Sequence, residues 1–316
     1  MKLAIVVPCY NEEEVLPVTL KRLLGLLSQL RAQGAVDSDS MLLFVDDGSK
    51  DRTWELLREA AAADARVQAL RLSRNRGHQR ALLAGLREAQ ADAVVSIDAD
   101  LQDDLGAIVQ MVAAAAGGAD IVYGVRCQRN SDTAFKRITA EGYYRLLAMF
   151  GVEVIFNHAD FRLMSRRALE ALGKFQESNL FLRGMVPQLG FMTTVVYYER
   201  HERHAGNSKY PLAKMLSLAW EGITSFSVAP LRFITLLGLS TCLLALGLGL
   251  WALGIGIFTS EAVPGWTSTV VPLAFIGGVQ LLSLGVIGEY VGKIYLETKR
   301  RPAYFVSERL SPDDAT

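Results

Sequence analysis

Up to about residue 125 the chain alternates short apolar runs with longer amphipathic stretches. LAIVVP, MLLFVD, RVQALRL, AVVSID and ADIVYG are short and mostly apolar, and they read as strands. Between them, residues 13–31, 51–62, 78–89 and 104–115 carry apolar side chains at helical spacing. Strand and helix in alternation predict an α/β fold with a mostly parallel sheet covered on both faces. Asp51 reads as the N-cap of the second helix, and Asp104 lies at the start of the fourth, where acidic groups suit the helix dipole.

The second half has a different pattern. No residue from Phe233 to Ser260 is charged, and after Glu261 none is charged from Ala262 to Gly288. Each stretch exceeds the ~20 apolar residues needed to cross a bilayer core. Two transmembrane helices are therefore expected, at about 232–258 and 269–292. Lys214 and Arg232 precede the first span and Lys293, Lys299, Arg300 and Arg301 follow the second, whereas the loop between them lacks Lys and Arg. The positive-inside rule then places both termini, and everything before the first span, in the cytoplasm. This makes a multi-pass protein of the inner (plasma) membrane. Residues 210–230 carry Leu212, Met215, Leu216, Leu218, Ala219 and Trp220 at helical spacing. Such a helix lies in the membrane interface or packs against the preceding domain. The organisation read here is a globular domain over 1–210, an interfacial segment over 211–230, the two spans within 231–295, and a cytoplasmic tail over 296–316.

Composition removes several classes. The 316 residues include 33 basic and 33 acidic side chains, so the basic excess of a nucleic-acid binder is missing. A hydrophobic fraction of 51% against 21% charged excludes a disordered chain. Cys9, Cys127 and Cys242 are odd in number and far apart, which fits neither a disulfide framework nor a zinc site and suggests a reduced compartment. The four histidines form no metal-binding pattern. The first strand is not expected to be a signal peptide, because Asn11-Glu12-Glu13-Glu14 follows it directly. No G-x-G-x-x-G follows that strand and no Walker loop is present, so dinucleotide and P-loop chemistry are not indicated.

Polar residues gather where the first four strands end: Pro8-Cys9-Tyr10-Asn11-Glu12, Asp46-Asp47-Gly48-Ser49, Ser73-Arg74-Asn75-Arg76-Gly77 and Asp98-Ala99-Asp100-Leu101-Gln102. In open α/β sheets ligands bind beyond the carboxyl ends of the strands. A turn with a helix cap explains any one of these; four at once point to a site. Asp98 and Asp100, one residue apart after an apolar strand, can converge on Mg²⁺ or Mn²⁺, hard cations that bridge carboxylates to a substrate diphosphate.

VVPCYNEEE, VDDGSKDRT, LSRNRGHQRALLAGL and SIDADLQDD, in this order and spacing, resemble glycosyltransferases of family two with the GT-A fold. DFRLMSRRALEAL, LFLRGM, RHERHAGNSKYPL and the paired spans narrow the likeness to the polyisoprenyl-phosphate glycosyltransferases, the bactoprenol glucosyltransferases more closely than the dolichol-phosphate mannose synthases. The likeness covers essentially the whole chain. No Gln-x-x-Arg-Trp precedes the spans, which argues against a processive polysaccharide synthase.

The resemblance implies roles position by position. Pro8, Tyr10 and Glu12 would line the nucleotide pocket, Asp47 would reach the base and Asp46 would lie nearby. Asp98, Asp100 and Gln102 would hold Mg²⁺ or Mn²⁺ and the donor diphosphate. Arg126 would sit near a phosphate, and Asp160 and Arg162 would face the reacting centre, Asp160 as a base or as a group that orients arginine. Arg203, Ser208 and Lys209 would meet phosphates from a loop. Arg76 stands where the nearest relatives would carry an aromatic residue. The implied activity is inverting transfer of a sugar, glucose from UDP-glucose foremost, onto undecaprenyl phosphate at the cytoplasmic face, with self-association compatible. UDP-N-acetylglucosamine, UDP-galactose or GDP-mannose as donor, and a non-catalytic membrane scaffold or flippase-like partner, are the competing readings; the intact Asp98-x-Asp100 pair weighs against the last.

Overall fold

A computed structural model describes residues 1–126, 158–177, 180–199, 224, 227–258 and 265–311. The chain divides into two compact units. Within the described residues, 1–126, 158–177, 180–199 and 300–311 belong to one, and 224, 227–258 and 265–299 to the other.

The first unit is built on one eight-stranded sheet: β1 (Leu3–Cys9), β2 (Met41–Asp46), β3 (Val67–Leu72), β4 (Ala93–Ser96), β5 (Ile121–Arg126), β6 (His158–Ser165), β7 (Thr193–Tyr198) and β8 (Val306–Leu310). Their order across the sheet is β7-β5-β6-β4-β1-β2-β3-β8. β1 pairs in parallel with β2 and β4, β2 with β3, and β5 with β7. β6 runs antiparallel between β4 and β5, and β8 antiparallel along β3. β1 and β2 are buried along their whole length, which is why they read as unbroken apolar runs.

Among the described residues this unit also holds helices α1 (Leu16–Ala32), α2 (Thr53–Ala63), α3 (His78–Glu88), α4 (Leu105–Ala116) and α5 (Arg166–Gly173), the single turn α6 (Leu182–Met185) and a 3-10 turn at Val186–Leu189. Alternation along β1 decides which residue meets which helix. Leu3, Ile5 and Val7 join Leu42 and Phe44 under Leu16, Leu23 and Leu27 of α1, Leu57 of α2 and Ile108 of α4 in one buried cluster. The opposite face receives α3 at close range. A Cβ added at Gly85 would lie 2.3 Å from Cγ1 of Val6 and 3.0 Å from Cγ2 of Val45. This close approach packs α3 directly on β1 and β2. Asp104 caps α4 by accepting from the Gly106 N–H at 2.9 Å. Asp51 is not itself the cap of α2; that position is Arg52, and the Asp51 carboxylate accepts the Thr53 N–H from one residue earlier.

Within the expected tail, Val306–Leu310 form a strand. β8 hydrogen-bonds along β3 and closes an edge that would otherwise present unpaired backbone groups.

The second unit contains two long helices, α7 (Ala229–Phe258) and α8 (Trp266–Thr298). Each holds a segment long and apolar enough to cross a membrane, with mean hydropathy of 1.9 and 1.4. Leu236, Leu239, Leu243 and Leu284 project outward unburied. Tyr290 Oη, late in α8, donates to the Ser227 carbonyl just before α7 at 2.6 Å, so the two helices form an antiparallel hairpin.

Candidate active site

The carboxyl ends of β1, β2, β3 and β4 lie along one edge of the sheet, and side chains of successive loops tie that edge together. At the end of β2, Asp46 is fully buried, and its Oδ1 accepts the Ser49 N–H at 3.0 Å. Ser49 Oγ accepts the Asn11 N–H at 2.9 Å, coupling the β2 turn to the β1 loop. Asp47 reaches the other way, accepting the N–H groups of Arg76 at 2.6 Å and Gly77 at 2.8 Å. These N–H groups immediately precede α3, where a carboxylate is favoured by the helix dipole. Burial pushes both Asp46 and Asp47 upward from the ordinary carboxylate range, against the pull of these hydrogen bonds. Gly48 is fixed twice over. Its φ is +70°, and a Cβ there would come within 2.8 Å of the Arg74–Asn75 backbone.

These positions modify the expected roles. Asp46 is shut off from solvent and shapes the turn instead of lining a pocket surface. Pro8 is likewise buried inside β1, paired with Val45. Tyr10, 41% exposed, and the partly exposed Glu12 stand at the open edge. Asn11 between them has φ of +53°.

β4 leads into the carboxylate pair. Asp98 lies recessed in the crevice with 41% of its side chain accessible, and Asp100 is partly exposed. Leu101, a buried apolar residue with φ of +48°, forces the turn between Asp100 and Gln102. Gln102 and Asp103 are buried. Crowding by protein, then the charges of Asp103, Asp160 and Asp100, push Asp98 up to about 6 although His78 pulls the other way. Such an excess of negative charge on hard oxygen donors suits a divalent cation. Among the described residues no set of three or more His, Cys, Asp or Glu side chains is arranged to hold a metal by itself. Two carboxylates that share the ion with a substrate diphosphate are the arrangement Mg²⁺ and Mn²⁺ commonly accept.

β6 adds the next layer. Its residue Arg162 lies opposite Ser96 of β4, and Ser96 Oγ donates to the Asp160 carbonyl at 2.5 Å. Asp160 Oδ1 accepts from Arg162 Nη2 at 2.9 Å, and Oδ2 accepts from Gln79 Nε2 at 2.9 Å and Arg183 Nη2 at 3.2 Å. His78 Nε2 stands 3.5 Å from Asp98 and 3.6 Å from Asp160, bridging the two. Burial would raise Asp160, but His78, Arg162 and Arg183 together hold it well below the usual range. Burial would lower His78, and the two carboxylates outweigh it and raise the imidazole. Asp160 is engaged by donors on both oxygens and orients the Arg162 and Arg183 guanidinium groups. Arg162 is 0% exposed, so it cannot touch a substrate; it backs Asp160 from beneath, a correction to its expected place at the reacting centre. The guanidinium that does face outward from Asp160 is Arg183, with 42% of its side chain accessible.

Arg126 ends β5 beside Tyr198, which ends β7. Its Nε donates to Tyr198 Oη at 3.0 Å and its Nη2 to Asp103 Oδ1 at 3.1 Å; Tyr198 also donates to Asp103. Burial would lower Arg126, but Asp103 and Tyr198 keep it raised and charged. Arg203, Ser208 and Lys209 lie outside the described residues, as does most of 211–230. The structure thus joins Asp98, Asp100, Asp160, Arg126 and the end of β2 along one edge. It adds Gln79, Arg183, Asp103 and Tyr198, which sequence reasoning did not single out. Gln79 and Arg183 sat inside the quoted LSRNRGHQRALLAGL and LFLRGM segments, so the signal was present without an assigned role.

Residues 4–173 match the Glycosyl transferase family 2 profile. The chain belongs to glycosyltransferase family 2. Its α/β unit is the GT-A-type fold, and the protein is a glycosyltransferase. Among its family 2 relatives, an uncharacterized glycosyltransferase, YkoT, of Bacillus subtilis is 50% identical over 98% of this chain and 94% of its own length. The bactoprenol glucosyl transferase of Shigella phage SfX is 41% identical over 98% of this chain and all of its own. A solved structure of glucosyl-3-phosphoglycerate synthase from Mycobacterium tuberculosis, with Mn²⁺, UDP and phosphoglyceric acid, is 20% identical with a TM-score of 0.46, over 71% of this chain and 76% of that one.

Proposed function

We propose that this glycosyltransferase transfers a sugar from a nucleotide-sugar donor, UDP-glucose foremost, to a polyprenyl phosphate at the cytoplasmic face of the membrane. The observation that carries the reading is the crevice in which Asp98 and Asp100 adjoin the Asp160–Arg183 pair. Carboxylates for a metal–diphosphate lie beside a cation for a second anionic group. The polyprenyl acceptor is supported by the relatives named bactoprenol glucosyl transferase, similar over nearly the full chain.

An ionised phosphate brings its own nucleophilic oxygen, its second pKa lying near 6. The protein then has to manage charge more than to remove a proton. A divalent ion, when bound, neutralises the departing diphosphate. Asp98 and Asp100 would hold it, with Gln102 buried behind them. Arg183, oriented by Asp160, and Arg126, held by Asp103 and Tyr198, would direct guanidinium groups at phosphate oxygens. Arg203 and Lys209 would join them from the loop before the first span. Direct attack on the anomeric carbon, opposite the leaving group, inverts configuration without a covalent sugar–enzyme intermediate.

The membrane arrangement follows from connectivity. β8 comes after α8 in the chain yet hydrogen-bonds to β3, which comes before α7. Both flanks of the hairpin would then lie on one side of the bilayer, and the Lys and Arg distribution supports the cytoplasm as that side.

The test is transfer of radiolabelled sugar from a panel of UDP- and GDP-sugars to undecaprenyl phosphate, with and without EDTA. Metal-dependent transfer from UDP-glucose, giving a β-linked lipid phosphate by proton NMR, is expected. Absence of lipid product with every donor would end the reading.

A further inference from the structure

β8 enters the sheet from beyond the second apolar helix, and its side chains reach β3, α2 and the end of α3. Glu308, mid-strand, receives three donors: Arg71 Nη1 at 3.1 Å, Trp54 Nε1 at 3.2 Å and Arg58 Nη2 at 3.4 Å. Exposed ion pairs are ordinarily weak, but convergent networks are the exception. This one has a buried end. Arg71, at the end of β3, also turns its Nε toward Asp46 Oδ2 at 3.3 Å, and Asp46 is wholly inaccessible. Its guanidinium lies 5.5 Å from the centre of the buried Trp54 ring, which confines it between the two carboxylates. From Asp46 the contacts continue through Ser49 to the Asn11 N–H, between Tyr10 and Glu12.

A second set of contacts starts from Phe305. Its carbonyl accepts the Ser73 N–H at 2.9 Å, and its ring lies 5.9 Å from the Arg76 guanidinium. The Arg76 and Gly77 N–H groups are the ones gripped by Asp47. Glu308 and Phe305, the residue just before β8, thus reach the end of β3 and the loop after it, and their contacts lead to Asp46, which ends β2, and to Asp47, which follows it.

We infer that β8 is a positioning element of the donor pocket, Glu308 acting through Arg71 on Asp46 and Phe305 acting on the 73–77 loop held by Asp47. This rests on the donor reading above, together with the family resemblance that puts the nucleotide at Tyr10, Glu12 and Asp47. Glu308 is a positioning residue, since it touches no part of the crevice itself. Without it Arg71 keeps only one of its two carboxylates and is free to swing away from Asp46. The β2 turn and the β1 loop then lose a fixed anchor, while Arg162 and Arg183 still hold Asp160 from β6 and α6.

The experiment uses the full chain in detergent micelles and compares Glu308→Gln, Glu308→Asp and Phe305→Ala with the unaltered protein. UDP affinity by titration, donor KM, acceptor KM, kcat and Tm are read for each. Glu308→Gln should weaken UDP binding and raise donor KM by about three- to tenfold, with acceptor KM and kcat nearly constant. Glu308→Asp should recover part of this, and Phe305→Ala should shift the same two parameters. In an Arg71→Ala background Glu308→Gln should add little, because coupled residues are not additive. A fall in Tm with UDP affinity and donor KM unchanged would overturn the inference and leave β8 as edge protection only. Equal changes in donor and acceptor KM, or full additivity with Arg71→Ala, would overturn it as well. Failure of the underlying reading looks different: the unaltered protein would bind no UDP and transfer no sugar.

Discussion

Asp160 and Arg162 stand two residues apart on β6 and so share a face, where Arg162 Nη2 donates to Asp160 Oδ1 at 2.9 Å with both side chains buried. Removing one partner from a buried ion pair leaves an uncompensated charge, at a cost of about 3–5 kcal/mol. Arg162→Ala should therefore lower Tm sharply and abolish activity by loss of structure. The pH dependence carries a definite sign. Asp160 titrates lower in the folded chain than in the unfolded one, so it stabilises the fold above its unfolded value of about 3.9. That contribution is lost as the pH falls below that value toward the lower folded one. Asp160→Asn should flatten the acid limb of a plot of Tm against pH; an unchanged acid limb would show the pair to be unimportant.

The carboxylate crevice gives a prediction of opposite sign. Asp98 titrates at about 6, above an unfolded value of about 3.9, so its ionised form costs the folded protein stability at neutral pH. This cost is relieved as the pH falls from about 6 toward 4. A divalent cation relieves it another way, by favouring the charged form. Asp98→Asn should raise Tm at pH 7.5 in EDTA and remove the stabilisation that Mn²⁺ with UDP gives the unaltered protein. Mn²⁺ binding should weaken as pH falls through about 6. Asp100→Asn should cost most of the transfer rate with the fold intact, and full activity in EDTA would contradict the whole assignment.

How far the sequence revealed this architecture depends on where each segment lies in the sheet. β1, β2 and β4 are buried on both faces and announce themselves as apolar runs. β6, HADFRLMS, carries Asp160 and Arg162 in its interior, and a hydrophobicity pattern cannot show that two charges compensate one another within a strand. β8, VSERL, is an edge strand with three exposed residues in five, and only its partner β3 reveals it. The strand-end motifs were legible because loops at a parallel sheet edge must carry polar groups wherever a ligand binds. They did not separate Tyr10 and Asp98, which are partly exposed, from Pro8 and Asp46, which are buried. That distinction depends on strand register and on which neighbour covers each face, neither of which is local in sequence.

Topology is open to a direct test. The loop between α7 and α8 should face away from the cytoplasm, because β8 returns to the sheet that precedes α7. A cysteine introduced at Ser268, in the first turn of α8, should react with a membrane-impermeant reagent in intact cells. One at Ser307, on β8, should react only after lysis. The reverse pattern would invert the protein in the membrane.

The last prediction separates acceptor binding from donor binding. Arg203 and Lys209, outside the described residues, lie just before the segment that leads to the first span. The strand-end loops assigned to the donor all lie before residue 103. If the basic loop serves the lipid phosphate, removing its charge should impair acceptor use more than nucleotide affinity. A charge-assisted hydrogen bond is worth about 1.5–3 kcal/mol, roughly one to two decades in kcat/KM. Arg203→Ala should show that loss with varied polyprenyl phosphate, while UDP affinity by titration stays nearly constant. Arg203→Lys should recover only part, since an ammonium cannot reproduce the two-pronged geometry of guanidinium. Glu308→Gln supplies the opposite pattern, a donor effect without an acceptor effect, so the two variants measured side by side calibrate each other. If Arg203→Ala weakened UDP binding as much as acceptor use, the loop would be closing over both ligands, and its assignment to the acceptor alone would fail.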